Sequence, residues 1–193
     1  MCIFAPSNYY IINMEKILEG LFHISLKEFI ENDSKNIQDD VSERNWCARL
    51  GIFLQKNAES FGLKGYYADA EYNRNENRTV KTIYNKEIQG SVQVTCDLIL
   101  HSRGNKNPEG DNLIAIEMKK SDVDKKKIES DRIRLAALTE QFNEAVFHVE
   151  GEFPKNVCGY KLGYLIIIDN KKMTMAIETY RQGKRIRDCR YDL

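Results

Sequence analysis

The sequence predicts an α/β domain built on a central mixed β-sheet of four or more strands, flanked by helices, with a helical extension at its N-terminus. Apolar residues follow helical spacing through the first third of the chain, and strand-like segments rich in aromatic and β-branched residues begin near residue 65. A near-continuous apolar run at 160–169 is typical of a strand that is covered on both faces. With 193 residues, the chain is long enough to bury a sizeable core in one domain.

Two helices are predicted before the first strand, and one between later strands. The first covers residues 14–31, and the polar segment 31–40 is predicted to be a loop. Ser42 can cap the second helix, which carries a stripe of large apolar residues and ends at Gly62. That stripe consists of Trp46, Leu50, Phe53, Leu54 and Phe61. The third helix is predicted at about 122–147.

The strands are predicted from runs of β-formers that are bounded by turn residues. They lie at 65–73, 79–88, 91–100, 113–119, 160–169 and 173–180, of which the second can equally be an irregular excursion. The Gly-, Pro- and Asn-containing segment 101–112 predicts a hairpin loop, so its flanking strands are expected to be antiparallel neighbours. These elements divide the chain into a helical extension at 1–41, a core at 42–180 and a basic C-terminal tail at 181–193.

The composition indicates a soluble globular protein and gives no global electrostatic reason for a polyanionic partner. Lys and Arg together number 29, as do Asp and Glu, so the formal net charge is zero. Five cysteines form no C-x-x-C pair, which argues against a zinc clip and against a disulfide scaffold. No apolar run reaches about 18 residues and no signal peptide is recognisable, so we expect a cytoplasmic protein without a membrane span.

Charged residues interrupt two of the predicted apolar strands. Asp97 lies inside "VTCDLIL", and Glu117 and Lys119 follow "NLIAI" two residues apart, on one face of a strand. A hairpin of this length can bring Asp97 near Glu117. Two partly buried carboxylates repel each other unless a cation neutralises them, and Mg²⁺ prefers such oxygen ligands. Lys119 can then hydrogen-bond a metal-bound water or a substrate phosphate, which is the equipment for hydrolysis of a phosphodiester.

This pattern resembles the D-(x)n-E-x-K core of the PD-(D/E)XK nuclease superfamily. The matching residues are Asp97, Glu117 and Lys119, and Cys96 stands where the family usually has a proline. Glu43, in "SERNWCARL", matches the further acid that family members often carry on a preceding helix.

A more specific resemblance is to a bacterial group of small, mostly uncharacterised members of this superfamily. It is carried by "EYNRN" at 71–75, "DLILHSRGN" at 97–105 and "LIAIEMKKS" at 113–121, and "DRIRLAALT" at 131–139 extends it. The resemblance covers residues 42–169. It implies a restriction-endonuclease-like core with the order helix, three strands, helix, strand, which the predicted elements follow.

The resemblance also implies a nuclease that depends on Mg²⁺ or Mn²⁺. Asp97 and Glu117 would ligate the ion with the backbone carbonyl of Met118, and Glu43 would hold it directly or through water. Lys119 would orient or activate the attacking water. DNA is the expected substrate, with RNA as an alternative, and a homodimer would suit the cutting of both strands.

Three basic residues are candidates for contacts with nucleic-acid phosphates: Arg74, Arg103 and Lys120. Lysine and arginine contacts of this kind give affinity that depends on salt and not on base sequence. Each of the three can equally be a solvated charge, in a strand-end turn, a loop or the start of a helix.

Plainer explanations remain open for the acids as well. Asp97, Glu117 and Lys119 can form a surface strand end with a weak ion pair, and Glu43 can be a first-turn glutamate that the helix dipole favours. At the level of function there are two alternatives. One is a catalytically silent module of the same fold that binds nucleic acid or a partner protein in a defence or repair assembly, and the other is a structural domain.

Overall fold

The computed structural model describes residues 8–74, 82–85, 90–106, 108–140 and 158–193. Its helices within these ranges are α1 (Asn8–Gln38), α2 (Glu43–Ala58), α3 (Pro108–Asp111) and α4 (Lys125–Thr139). Its strands are β1 (Tyr67–Ala70), β2 (Thr82–Asn85), β3 (Gly90–Gln93), β4 (Leu98–His101), β5 (Asn112–Lys120), β6 (Leu162–Asp169), β7 (Thr174–Arg181) and β8 (Lys184–Asp192).

Six of the strands form one mixed sheet in the order β1-β4-β5-β6-β7-β8. β5 and β6 are parallel neighbours, and the other neighbouring pairs are antiparallel. β2 and β3 pair with each other in a separate two-stranded sheet. The predicted α/β class, the mixed sheet of four or more strands and the N-terminal helix are therefore confirmed.

Helices cover both faces of the six-stranded sheet. α1 and α2 share one hydrophobic core with β5 residues such as Ile116, whereas Leu135 of α4 packs in a second core with Ala115. Because successive side chains of a strand point to opposite faces, Glu117 and Lys119 share the face of Ala115. The two charged residues of β5 therefore lie under α4.

α1 is longer than the pattern of apolar residues predicts. It continues through the polar segment to Gln38, so the predicted loop at 31–40 is wrong. Asp33 and Ile37 are buried on one side of this last part of the helix. Asp33 Oδ1 accepts a hydrogen bond of 2.7 Å from Arg49 Nε of α2. Asp33 thus occupies a position in the helix interface where an apolar residue is usual. The apolar spacing by which a helix is predicted is therefore absent from this segment.

The described part of the predicted N-terminal extension packs as part of the main hydrophobic core. Its fully or almost fully buried apolar side chains are Leu18, Leu21, Phe22, Leu26, Phe29 and Ile37. Phe22 stacks on Tyr164 of β6, with ring centroids 3.6 Å apart and planes 4° apart. α1 is therefore a layer of the domain and not an appendage to it.

Residues 181–193, predicted as a basic tail, end β7 and form β8. Arg181 pairs with Lys184 across a turn in which Gln182 and Gly183 have φ angles of 51° and 74°. Two central residues with positive φ are typical of the type I′ turn of a tight hairpin. Most side chains of β8 are exposed at the edge of the sheet, so the segment lacks the apolar pattern of a strand.

Other predicted elements differ in their bounds. The segment 91–100 is divided between β3 and β4, which belong to different sheets. The helix predicted at 122–147 is described as α4, and residues 141–157 lie outside the described part of the chain. The strands at 160–169 and 173–180 are confirmed as β6 and β7. In the described ranges, no helix combines the length and the apolar character that crossing a bilayer requires.

Replacement of Phe22 by alanine tests whether α1 is integral to the domain. We expect F22A to lower the free energy of unfolding by about 3–5 kcal/mol, because a fully buried ring is lost and a cavity is left against Tyr164. The control is I24A on the same helix, whose side chain is 46% exposed and whose loss should change stability by about 0.5 kcal/mol or less. Urea unfolding followed by circular dichroism measures both, and equal effects would contradict the described packing of α1.

Candidate active site

The adjacent ends of β4 and β5 bring two acidic residues to neighbouring positions. Leu98 pairs with Ile116 in the antiparallel register of these strands, and one further step in that register places Asp97 opposite Glu117. Oδ2 of Asp97 accepts a hydrogen bond of 2.9 Å from the backbone N–H of Met118. This bond fixes the Asp97 carboxylate at the end of β5.

The first turn of α2 adds a third carboxylate. Ser42 is the N-cap residue, and its side chain accepts a hydrogen bond from the backbone N–H of Asn45. The cap starts the helix at Glu43, whose Oε1 accepts a hydrogen bond of 2.7 Å from the backbone N–H of Lys120. Glu43 therefore ties the start of α2 to the end of the strand that carries Glu117.

α4 contributes a fourth carboxylate and a cation, which form an ion pair between Asp131 Oδ1 and Arg134 Nη1 at 3.2 Å. Arg134 Nη1 also donates a hydrogen bond of 2.8 Å to Oε1 of Glu117. Glu117 is 0% exposed and Asp131 is 2% exposed. We refer to Glu43, Asp97, Glu117 and Asp131 together as the acidic cluster.

The ammonium of Lys119 lies among the members of the acidic cluster. Its Nζ is 3.0 Å from Oδ2 of Asp97, 3.3 Å from Oδ2 of Asp131 and 4.0 Å from Oε2 of Glu43. The contact with Asp131 is an ion pair without hydrogen-bond geometry, whereas Nζ donates a hydrogen bond of 3.0 Å to the carbonyl of Met118. Burial acts to lower the pKa of Lys119, but Asp97 and Asp131 outweigh it and the net pKa is raised. The side chain is therefore charged at neutral pH.

Glu117 is the most enclosed acid of the cluster. Its Oε1 is bound by Arg134, while Oε2 is buried and accepts no hydrogen bond from the described residues. Burial, and after it the charge of Asp97, raises the pKa of Glu117 well above its usual range, and Arg134 offsets only part of this. Burial also raises the pKa of Asp131, although Lys119 and Arg134 oppose the shift. The ionised forms of both acids are thus incompletely stabilised.

The charge and the donor atoms of this site suit a divalent metal ion. When all groups are ionised, the four carboxylates exceed the two cations, Lys119 and Arg134, by two negative charges. Carboxylate oxygens and a backbone carbonyl such as that of Met118 are ligands that Mg²⁺ prefers. The buried Oε2 of Glu117 accepts no hydrogen bond from the described residues, so it is a ligand atom without a present partner.

The site must rearrange before it can hold such an ion. As the described residues stand, no three His, Cys, Asp or Glu side chains form a group that could hold a metal. The central position among the carboxylates is taken by the ammonium of Lys119. We therefore expect a metal ion to enter only when this ammonium moves.

Two of the three basic residues predicted to contact nucleic acid are bound to acids outside the acidic cluster. Arg103 lies beyond the opposite end of β4, where it donates hydrogen bonds of 2.6 and 2.7 Å to the two carboxylate oxygens of Asp69. The backbone N–H of Lys120 donates a hydrogen bond to Glu43, but its Nζ donates one of 2.7 Å to Oδ1 of Asp40. Arg74 is exposed, and it follows Glu71, whose backbone N–H donates a hydrogen bond of 3.1 Å to the carbonyl of Asp97. The structure thus brings together the predicted acids, the Met118 carbonyl and Lys119, and it binds the side chains of Arg103 and Lys120 to acids outside the cluster.

Asp131 and Arg134 were not among the predicted site residues. Asp131 carries a signal in the sequence, because it falls on the buried stripe of α4 with Ile128 and Leu135. A carboxylate at such a position is rarely buried unless it is paired. Arg134 gives no comparable signal, because it is a partly exposed residue and Glu117, which it binds, lies in another element.

Comparison of the chain with protein-family models, with curated proteins and with solved structures found no match. The resemblance to the PD-(D/E)XK superfamily therefore stays a prediction that rests on sequence motifs. The geometry and the charges of the acidic cluster are what indicate a function.

The stability of the metal-free protein should depend on pH through Glu117. Its pKa is raised in the folded state, so the folded protein binds this proton more tightly than the unfolded chain does. The contribution of Glu117 to stability is therefore greatest below the unfolded-state pKa of about 4.5, and it falls as the pH rises towards the folded-state pKa. E117Q cannot titrate, so its stability relative to wild type should rise with pH, by up to about 1.4 kcal/mol per pH unit.

Urea unfolding in EDTA at a series of pH values measures this difference. The control is E59Q, which changes an exposed glutamate at the end of α2 and should show no comparable trend. A stability difference between E117Q and wild type that stays constant or falls with rising pH would contradict the described environment of Glu117.

Proposed function

We propose that the protein is a metal-dependent nuclease that hydrolyses phosphodiester bonds, with DNA as the expected substrate and RNA as the alternative. The observation that carries the proposal is the convergence of the acidic cluster and Lys119 at the adjacent ends of β4 and β5. Four separate parts of the chain supply the acids. Buried charge of this kind is costly, and apolar residues often stabilise a structural site better.

Asp97, Glu117 and the backbone carbonyl of Met118 would hold Mg²⁺ or Mn²⁺, and Glu43 would hold it directly or through water. Bound there, such an ion lowers the pKa of a water molecule and polarises a phosphoryl oxygen. Arg134 donates a hydrogen bond of 2.8 Å to one oxygen of the Glu117 carboxylate, and the other oxygen accepts none from the described residues. Arg134 would thus orient Glu117 as a ligand.

Lys119 has two positions in this proposal. In the metal-free protein its ammonium neutralises Asp97 and Asp131. With a divalent ion bound by Asp97, repulsion between the cations would move the ammonium away from the centre, and the ion pair with Asp131 would keep it at the edge of the site. From there Lys119 would donate hydrogen bonds to the attacking water or to the substrate phosphate and orient them.

A catalytically silent module that binds nucleic acid or a partner protein is the second candidate. It is favoured by the ion pairs that Lys119 and Arg134 form with the acids, since these neutralise much of the cluster without a metal. In that case the cluster would serve only to connect α2, α4 and the sheet. Metal binding and cleavage separate the two candidates.

The cytoplasm is the expected compartment, and a homodimer would allow both strands of DNA to be cut. The cysteines among the described residues are free thiols, and Cys47, Cys96 and Cys158 are buried. Free buried thiols suit a reducing compartment.

Substitutions that keep the size of the site residues test the proposed hydrolysis. We expect D97N, E117Q and K119M each to reduce the cleavage rate by about 100-fold or more, because each removes a ligand or a group that orients the water. The substrates are plasmid DNA, a single-stranded oligodeoxynucleotide and RNA, each with Mg²⁺ or Mn²⁺. The control is D122N, which removes a 61% exposed carboxylate beyond the end of β5 and should cleave at the wild-type rate.

Two results would count against this assignment. Cleavage that persists in EDTA would show that hydrolysis does not depend on a metal ion. Cleavage by K119M at the wild-type rate would show that Lys119 does not have the proposed role. Binding of any of these substrates without cleavage would support the catalytically silent alternative.

Thermal unfolding with and without Mn²⁺ tests the metal site independently of catalysis. At a concentration about 100 times its dissociation constant, an ion that binds only the folded protein adds about 2.7 kcal/mol to the free energy of unfolding. We expect Mn²⁺ to raise the Tm of the wild-type protein and of D122N, and to leave the Tm of D97N nearly unchanged. Equal shifts in wild type and D97N would place the ion somewhere other than the acidic cluster.

A further inference from the structure

A cleft of about 570 Å³ lies beside the acidic cluster, between the first half of α4 and β6. We refer to it as the α4 cleft. Ile128 and Ile167 form its apolar part, and its charged lining residues are Lys125, Lys126, Glu129 and Arg132. Its volume falls in the range of about 300–1,000 Å³ that is typical of sites for small organic ligands.

The α4 cleft adjoins the candidate active site. Lys119 of β5 and Ile167 of β6 are direct partners in the parallel register. Both side chains lie on the α4 face, since Lys119 contacts Asp131 and Ile167 packs with the second core cluster. Adjacent strands are about 4.8 Å apart, so the cleft begins one strand away from the ammonium of Lys119.

The basic residues of the cleft differ in whether the protein already neutralises their charge. Arg132 is held by three hydrogen bonds of 2.5 to 3.1 Å to Glu178 and by another to Glu129. Its charge is therefore largely matched within the protein. Lys125 and Lys126 are exposed, so their ammonium groups are available to a ligand in the cleft.

An exposed basic rim above an apolar floor fits a single strand of nucleic acid better than a duplex. A single strand presents phosphates on one side and the apolar faces of unpaired bases on the other, and proteins bind both together. The bases of a duplex are paired and stacked inside it, so a duplex would offer Ile128 and Ile167 little to contact. The size of the α4 cleft limits it to one or two nucleotides.

We infer that the α4 cleft binds a single nucleic-acid strand next to the scissile phosphate, with Lys125 and Lys126 on its phosphates and Ile128 and Ile167 against a base or sugar. The inference rests on the proposed nuclease function, because that function requires the bound nucleic-acid strand to continue from the cleft to the acidic cluster. It assigns this protein a subsite for single-stranded substrate that the acidic residues alone do not indicate.

Fluorescence anisotropy in EDTA tests the subsite without any need for cleavage. The probes are short fluorescein-labelled oligothymidylate and oligouridylate strands and a labelled DNA duplex of the same length. We expect K125A/K126A to bind both single strands several-fold more weakly than wild type at low salt. Its plot of log affinity against log salt should be shallower by about 1.4, since each lost phosphate contact on a single strand removes about 0.7.

The matched control is K16A/K27A, which removes two exposed lysines from α1 on the other side of the sheet. This variant should bind like wild type, and wild type should prefer the single strands to the duplex. An equal loss in K16A/K27A, an unchanged affinity in K125A/K126A or a preference for the duplex would each overturn the inference. Thermal unfolding checks that both variants are folded. We expect them to be, because all four lysines are exposed and none supports the core.

A failure of the subsite can be told apart from a failure of the nuclease proposal. If wild type cleaves DNA with Mg²⁺ while K125A/K126A binds and cleaves like wild type, the subsite is wrong and the nuclease stands. If K125A/K126A loses single-strand binding but wild type cleaves none of the substrates, the subsite stands and the nuclease does not.

Discussion

The ion pair between Lys119 and Asp97 is the interaction on which the candidate site depends. It joins Lys119 of β5 to Asp97, the residue before β4. The register of these two strands also sets Glu117 beside Asp97. The same ammonium lies 3.3 Å from Oδ2 of Asp131, so one cation offsets the repulsion between two carboxylates in a partly buried site. Lys119 thus holds Asp97 and Asp131 together in the metal-free protein.

The topology of the sheet explains why a helix completes this site. β5 and β6 are parallel, so the chain must cross over one face of the sheet between them, and α4 lies in that connection. The crossover places Asp131 and Arg134 above the strand that carries Glu117. α2 approaches from the opposite face and contributes Glu43 through its capped first turn. A site at the rim of the sheet can therefore collect groups from both layers of helices.

The sequence predicts those features that follow from local pattern. Apolar runs place Glu117 in a strand, and a helix cap places Glu43 at the start of α2. Asp97, predicted inside a strand, instead lies directly before the first residue of β4. The sequence does not predict the length of α1 or the strand β8, because long-range packing and an exposed sheet edge decide them. It also misses the ion pairs of α4 with β5, since these depend on which face of the sheet the crossover takes. The position of Lys119 inside the acidic cluster could not be foreseen for the same reason.

A crystal grown with Mn²⁺ at a saturating concentration would show whether the acidic cluster holds a metal ion. We expect an anomalous difference peak bounded by the carboxylates of Asp97 and Glu117, with Nζ of Lys119 displaced towards Asp131. A map without such a peak, in which the ammonium still donates its hydrogen bond to Asp97, would rule out the proposed metal site.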